Sequence, residues 1–500
     1  MIDYLILGGG LSGCVLASRL KEYNSSLNIT LVEAGPDEHE HPLISEPMAW
    51  TRGDRADYDL FGRLVGDKRW SYDGLLPYFK KTENHHDTNA DPDQHGFEGP
   101  IHTTPANTRT YPLTEKLRPA WLKIGLQPNK DHNAGDNKGM APHIENWRDG
   151  KRQAAGKAYG LQGINVITNA VVKRVILADG SSGRKKAVGA ELTSGQILKT
   201  NKEVIVCCGA IRTPQLLMLS GIGPADELKK HDIQQLVDSP EVGRNLSDHG
   251  AVTQFYKIRN PELGLCAPHP AFNHPSYADG FPTDYVITGS APAAAIKEAI
   301  LADEGSVDDH HPHLHPPRSH YELIPMYAPT ETPLTDMNIP FDGSIISIGI
   351  INFLPTSRGT VSLGSADPAA DPLVNPNYWS TNVDRAIIRG ALRRNMSAFE
   401  TLEANAVVVG EVPPKGYPQL TSESTDEEID ARVRRCVSSF FHTAGTASMG
   451  KVVDTECRVF GMDALRVVDM SVLPTPVSAH YMVAAYAVAE QMAAIIAEKT

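Results

Sequence analysis

Two histidines near the end of the chain have the chemistry to work as a pair. His442 lies in Phe440-Phe441-His442-Thr443-Ala444-Gly445-Thr446-Ala447-Ser448-Met449-Gly450 and His480 in Ser478-Ala479-His480, each beside small residues that let a flat ligand come close. Imidazole titrates near neutral pH, so one ring can take the proton of an alcohol and the other can hydrogen-bond at the same centre while hydride leaves that carbon. The chain holds 19 histidines, and spacing alone equally allows two ordinary, hydrogen-bonded buried histidines. His480 opens a helix expected over Met482 to Glu498, and a helix start aimed at an electron-rich edge stabilises negative charge there.

A second constellation stands at the front. Gly8, Gly10 and Gly13 follow the apolar run Tyr4-Leu5-Ile6-Leu7, and helix-like apolar spacing over Cys14 to Leu20 comes next. Ile29-Thr30-Leu31-Val32 reads as another strand covered on both faces, ending at Glu33, about 20 residues past the third glycine, where a ribose-binding carboxylate belongs. Gly8 permits the tight turn, Gly10 leaves room for a pyrophosphate, and Gly13 lets helix and strand approach. The free N–H groups of the helix start then face the anion. Strand, turn, helix, strand and acid in register point to an adenine dinucleotide, FAD or NAD.

These groups need elements to position them. Strands are expected at 164–168, 171–177, 188–192 and 203–208, the last running into Gly209-Ala210 and a helix over Gln215 to Ser220 opened by Thr213-Pro214. Leu465-Arg466-Val467-Val468-Asp469 is a further strand ending in an acid. From about 255 to 340 the chain is rich in Pro and His and weakly periodic; strand patterns resume at 344–354 and 359–363, so the middle is expected to form a separate, mostly antiparallel layer. The stretch Asp308-Asp309-His310-His311-Pro312-His313-Leu314-His315 is read as an exposed loop, and no metal ligand set is expected.

Composition narrows the function classes. A formal charge of −13 gives no basic field for phosphate backbones, so a nucleic-acid partner is not expected. The apolar tract Met482 to Ala489 is stopped by Glu490 and Gln491, far short of the ~20 residues of a membrane span, and no membrane association is expected. Six cysteines without C-x-x-C spacing suit a reducing compartment, and the start of the chain leaves no room for a signal peptide, so a cytoplasmic location is expected.

Three separated stretches resemble one family, the glucose-methanol-choline oxidoreductases, flavoenzymes that oxidise alcohols with FAD. They are DYLILGGGLSGCVLASRL with ITLVEAG, then GAIRTPQLLMLSGIGPADELKKHDI with VGRNLSDH, and finally HTAGTASMG with VFGMDALRVVDMSVLPTPVSAHYMVAAYAVAE. The segment LPTSRGTVSLGSADPAADPLVNPNY looks like the same family's substrate domain. The resemblance implies an α/β fold: a Rossmann-like FAD-binding domain from residues 1–60, 160–253 and 431–500, and a discontinuous α+β substrate domain on an antiparallel sheet from 61–159 and 254–430.

Carried over by position, Gly8, Gly10 and Gly13 would hold the pyrophosphate and Glu33 the ribose. Val172 would meet the adenine through its backbone, Asp469 and Met470 would lie by the pyrophosphate and ribityl chain, and Met482 and Val483 by the flavin pyrimidine ring. His442 corresponds to the principal base and His480 to its partner, acting on a small-molecule alcohol, with oxygen or a quinone-like compound as electron acceptor. A lyase or cyclase on the same scaffold, with FAD purely structural, is the alternative. The sequence departs from the family between Glu33 and Asp57, where a long insertion ending in a glycine-serine loop against the flavin is normal and only Met48 to Gly53 and Ala56 to Asp59 resemble its tail.

Overall fold

The computed structural model describes all residues except 39–40, 42–47, 107–108, 181–182, 331–336, 338 and 499–500. Two sheets organise it. The first begins with β1 (Ile2–Leu7), which turns into helix α1 (Leu11–Tyr23) and returns as β2 (Ile29–Val32). Leu5, Ile6 and Leu7 are wholly buried, as a continuous apolar run must be when both sheet faces are covered.

Chain order and space order then part. Helix α2 (Tyr72–Thr82) precedes β3 (Asn165–Ile167), the antiparallel strands β4 (Val172–Asp179) and β5 (Lys185–Leu192), the long β6 (Ile197–Val206), helix α3 (Gly209–Leu219), β7 (Leu465–Val467) and the final helix α4 (Tyr481–Ala497). The parallel part of the sheet runs β3-β2-β1-β6-β7. Leu7 pairs with both Val32 and Val206, Val32 with Ile167, and Val206 with Val467, so five strand ends finish level along one edge.

Helix α4 is apolar all round and packs against α1 and α2. The acid that interrupts its apolar tract, Glu490, is wholly buried, with Arg19 at 2.8 Å, Lys81 at 3.1 Å and the Tyr159 hydroxyl at 2.9 Å. Two cations and a hydroxyl neutralise it, so α4 is a core helix. Among the described residues no helix is long and apolar enough to cross a membrane.

The second sheet is antiparallel throughout, in the order Val408–Glu411, Gly250–Ile258, Ile345–Asn352, Tyr321–Met326, Tyr285–Gly289 and Gly139–Pro142, with Ser438–Ser439 added beside Gly250. One face, including Leu323, Ile348 and Ile350, packs against the helices Thr114–Lys123, Ala293–Glu304 and Asn382–Phe399. The alternate residues Glu322, Ile324 and Ile351 face the other way.

Several boundaries differ from the sequence expectation. The divisions at 60/61, 253/254 and 430/431 each cut one element: the helix Arg55–Val65, the strand Gly250–Ile258 and the helix Asp426–Cys436. Phe61, Trp70, Tyr72, Leu75 and Phe79 also belong to the core of the first sheet, because α2 packs beneath α4. Helix α3 begins at Gly209 and carries Pro214 in its interior. Proline cannot donate to the carbonyl one turn back. That carbonyl, Ala210 O, instead accepts the Thr446 hydroxyl at 2.6 Å, so the helix continues unbroken.

The glycine turn makes the tightest demand. A Cβ on Gly13 would stand 1.9 Å from Gly8 O, in the backbone of the turn itself. Gly13→Ala is therefore expected to lose at least about 3 kcal/mol of stability through forced separation of α1 from β1. Thermal unfolding checks this, and an unchanged midpoint would contradict the packing described.

Candidate active site

The level edge of the parallel sheet assembles the residues predicted to hold a cofactor. Gly8 follows β1, Glu33 follows β2, and Asp469 lies two residues past β7. A cavity of about 600 Å³ opens along this edge, bordered by Gly8, Gly10, Glu33, Val172, Asp469 and Met470. Gly10 caps α1 without a side-chain hydrogen bond, and a Cβ there would meet nothing within 4 Å. The first turn of α1 thus presents free N–H groups to open space, which suits an anion.

Glu33 is held in place by two backbone donors: Gly9 N gives to Oε2 at 2.7 Å and Gly35 N to Oε1 at 2.8 Å. Each oxygen keeps a further lone pair for a ribose hydroxyl. Asp469 is buried and accepts from Gly209 N (2.9 Å), the Thr213 hydroxyl (2.6 Å) and Ser471 N (2.8 Å), while burial pushes its carboxyl up from the ordinary range. It pins the start of α3 to the tail. Uncapped helix start, side-chain-free turn and ribose-ready acid are the donor set of an adenine dinucleotide.

His442 and His480 come together although the chain separates them widely. Their ring centroids are 5.1 Å apart at an interplanar angle of 76°. The backbone N–H of His442 donates to Asp248 Oδ1 at 2.9 Å, and Asp248 also receives the Ser439 hydroxyl (2.6 Å) and that of Tyr378. His442 Nδ1 lies 2.9 Å from His249 Nδ1, and its ring stacks on Tyr481. Burial, with His249 and His480 adding to it, holds the His442 imidazole well below its usual 6.5, and burial pushes His249 down to about 3. All three effects favour the uncharged ring.

His480 stands at the start of α4, with Nε2 2.7 Å from Glu322 Oε2. Its backbone N–H donates to Thr51 O at 3.0 Å, so the shortened front segment serves the helix start that carries the second histidine. The preceding residues are anchored as well. Asp57 accepts Ser478 N at 2.6 Å and pairs with Arg318 from the second layer at 2.5 Å. Met482 and Val483 fill the first turn of α4; Val483 is buried, and the Met482 sulfur accepts from Asn146 Nδ2 (3.8 Å) and Arg152 (3.5 Å). Neither residue, nor either histidine, borders the cavity, but Thr443 and Ala485 from the same two segments do.

Sequence reasoning missed Asp248, His249 and Glu322. The first two close the stretch Asn245-Leu246-Ser247-Asp248-His249, and an acid-histidine pair just before a strand was the available signal. Glu322 carried none, because only the sheet register turns it towards His480. Residues 308–315 do form turns, with His311 on Glu304 (3.3 Å) and Asp309 on Lys297 (2.7 Å). Elsewhere Glu83, His85 and His95 approach one another closely enough for a metal. Glu83 already receives Arg52 at 2.7 Å and Trp50 Nε1 at 3.2 Å, and His95 is bound to Asp131 at 2.9 Å, so its charge is balanced within the protein.

Fold and cleft together define a two-layer protein of the dinucleotide-binding kind. Family models described as GMC oxidoreductase match residues 46–251 and 355–489. The GMC-type oxidoreductase acuG of Aspergillus aculeatus is 39% identical over 534 positions, covering 98% of each chain. Alcohol dehydrogenase [acceptor] of Pseudomonas putida is 28% identical, covering all of this chain and 96% of its own. The crystal structure of pyridoxine 4-oxidase from Mesorbium loti superposes with a TM-score of 0.82 at 25% identity over 99% of both chains. The chain belongs to the GMC oxidoreductase family and is an FAD-dependent oxidoreductase.

The open space at Gly10 separates binding from folding. Gly10→Ala is expected to melt within about 1 kcal/mol of the parent once propensity is counted, yet to retain markedly less FAD after gel filtration, because the methyl enters the cavity. Equal flavin content, read from visible absorption, would remove the cavity from consideration.

Proposed function

We propose that this protein oxidises the CH–OH group of a small alcohol, with His442 as the base and His480 as the second hydrogen-bonding group at the reacting carbon. The observation that supports this most is the pair itself: half-buried His442 and buried His480, with ring centroids 5.1 Å apart and the His442 imidazole held well below its usual range. A neutral imidazole has an open lone pair for a hydroxyl proton. For His442 to accept at Nε2, its Nδ1 must carry hydrogen and donate to His249 Nδ1, and the 2.9 Å contact allows that tautomer.

Glu322 orients the other ring. A carboxylate accepts from His480 Nε2–H, which fixes the ring plane. Asp248 steadies the backbone of His442, and Asp57 with Arg318 steadies the approach to His480, so both imidazoles are set before substrate arrives. In the same reading Gly8 and Gly10 would border the cofactor diphosphate in a turn that Gly13 keeps tight, Glu33 would take the ribose hydroxyls and Val172 would meet the adenine. Asp469 and Met470 lie along the ribityl side, and Met482 and Val483 by the pyrimidine ring. FAD, when bound, supplies the two-electron acceptor for the hydride that leaves the carbinol carbon. The electron acceptor in this reading would be oxygen or a quinone-like compound.

Two outcomes test the reading. His442→Ala is expected to keep its FAD and lower the anaerobic flavin reduction rate by about 10²–10⁴-fold; an unchanged rate removes His442 from the mechanism. Because the folded-state pKa of His442 is depressed, the ring stays unprotonated as pH falls through 6.5. The reduction rate should therefore hold level from pH 8 to pH 6.5 and decline only in more acidic solution. Stopped-flow measurement reads this directly, and a base titrating above 6.5 would contradict it. If no alcohol bleaches the flavin anaerobically while substrate is still consumed, the chemistry is that of a lyase or cyclase.

A further inference from the structure

Among the described residues no carboxylate pairs with Arg152. The five buried arginines among the described residues each hold one: Arg52 with Glu83, Arg109 with Glu145, Arg318 with Asp57, Arg432 with Glu411 and Arg466 with Glu203. Arg152 is half-buried, and its hydrogen bond goes to a thioether, Met482 Sδ, at 3.5 Å. Burial without a counter-charge lowers the pKa of its guanidinium. Taking a cation out of water and giving it no anion is unfavourable. Such a group is placed to meet an anion that arrives from outside the chain.

Its surroundings indicate which anion. A cavity of about 820 Å³ is bordered both by Arg152 and Gln153 and by Gly9, Gly10 and Leu11. Gly10, Leu11 and Glu33 belong to both this cavity and the one along the sheet edge, so the uncapped first turn of α1 lies where the two spaces meet. The Met482 contact ties Arg152 to the start of α4, another helix start without a side-chain cap. Glu33, on the same border, is held by Gly9 and Gly35, and the other acids there, Asp37 and Glu38, are exposed. A planar guanidinium with several N–H donors matches phosphate oxygens better than any other side chain.

We propose that Arg152 is a diphosphate-binding residue, whose guanidinium closes on the phosphate oxygens from the side opposite the free N–H groups at the start of α1. This rests on the FAD-binding assignment, and it names a phosphate ligand contributed from a part of the chain far from the glycine turn. The same chemistry would accept the diphosphate of free ADP, which makes ADP a usable probe.

The test compares full-length wild type, Arg152→Met and Arg152→Lys. FAD affinity is read from flavin fluorescence at several salt concentrations, and ADP and adenosine are each used to displace FAD. Arg152→Met is expected to weaken FAD binding by about tenfold to a hundredfold and to flatten its salt dependence. ADP should lose its advantage over adenosine in that variant, while adenosine competes as before. Arg152→Lys should recover part of both effects. Unfolding of FAD-saturated protein, followed by circular dichroism, separates these effects from misfolding. An unchanged ratio of ADP to adenosine affinity in a folded Arg152→Met protein overturns the assignment of Arg152 alone. Failure of wild type to bind either nucleotide overturns the cofactor site with it.

Discussion

The level ending of five parallel strands is the constraint from which the site follows. Parallel pairing forces neighbouring strands to run the same way, so their carboxyl ends share one edge and the residues just past them share one crevice. Leu7, Val32, Val206 and Val467 end in register, and Gly8, Glu33, Cys207 and Asp469 are therefore neighbours despite coming from distant parts of the chain. The ladder closes just past the strand ends, with Gly8 N on Val32 O, Cys207 N on Leu7 O and Glu33 N on Ile167 O, and the uncapped start of α1 lies beside it. A slip of register at β7 would move Asp469 away from Gly209 and Thr213 and unpin α3.

Electrostatics then join the two layers. The period of two along Tyr321–Met326 sends Leu323 into the helical core and Glu322 towards the first domain, where it meets His480. Asp57 and Arg318 form a buried ion pair across the same divide, with Ser478 completing the carboxylate's shell. Buried pairs contribute little net stability because desolvation offsets attraction, but leaving one member unpaired costs several kcal/mol. Such contacts act as registration marks: they penalise any arrangement in which the tail and the second sheet fail to meet. His442 differs in kind. Desolvation, with His249 and His480 adding to it, keeps its ring uncharged.

The segment between Glu33 and Asp57 shows how an economy in length is absorbed. Trp50, Thr51 and Arg52 are buried; Trp50 and Arg52 bind Glu83, and Thr51 O receives the backbone of His480. The described residues Trp50 to Arg52 thus support the second histidine. The cavity beside Arg152 is bordered by Pro36 to Glu38 of the same segment.

The fold of the first domain was legible because its signals are local. Apolar runs without alternation, three glycines at fixed spacing and an acid at a strand end each report on the backbone within a few residues, and β1, α1, β2, β6 and α4 lie close to where those signals put them. The start of α3 was hidden, because the hydroxyl that satisfies the carbonyl freed by Pro214 belongs to Thr446, far along the chain. By itself the sequence determined which residues have the chemistry: two histidines among small neighbours, a glycine turn and an acid. Only the tertiary structure decided which groups surround them. Sheet register turns Glu322 towards His480, chain crossing seats His249 beside His442, and folding sets Arg152 on a thioether in a cavity it shares with the first turn of α1. Distances between residues remote in sequence depend on how strands pair and layers stack, and no local pattern encodes them.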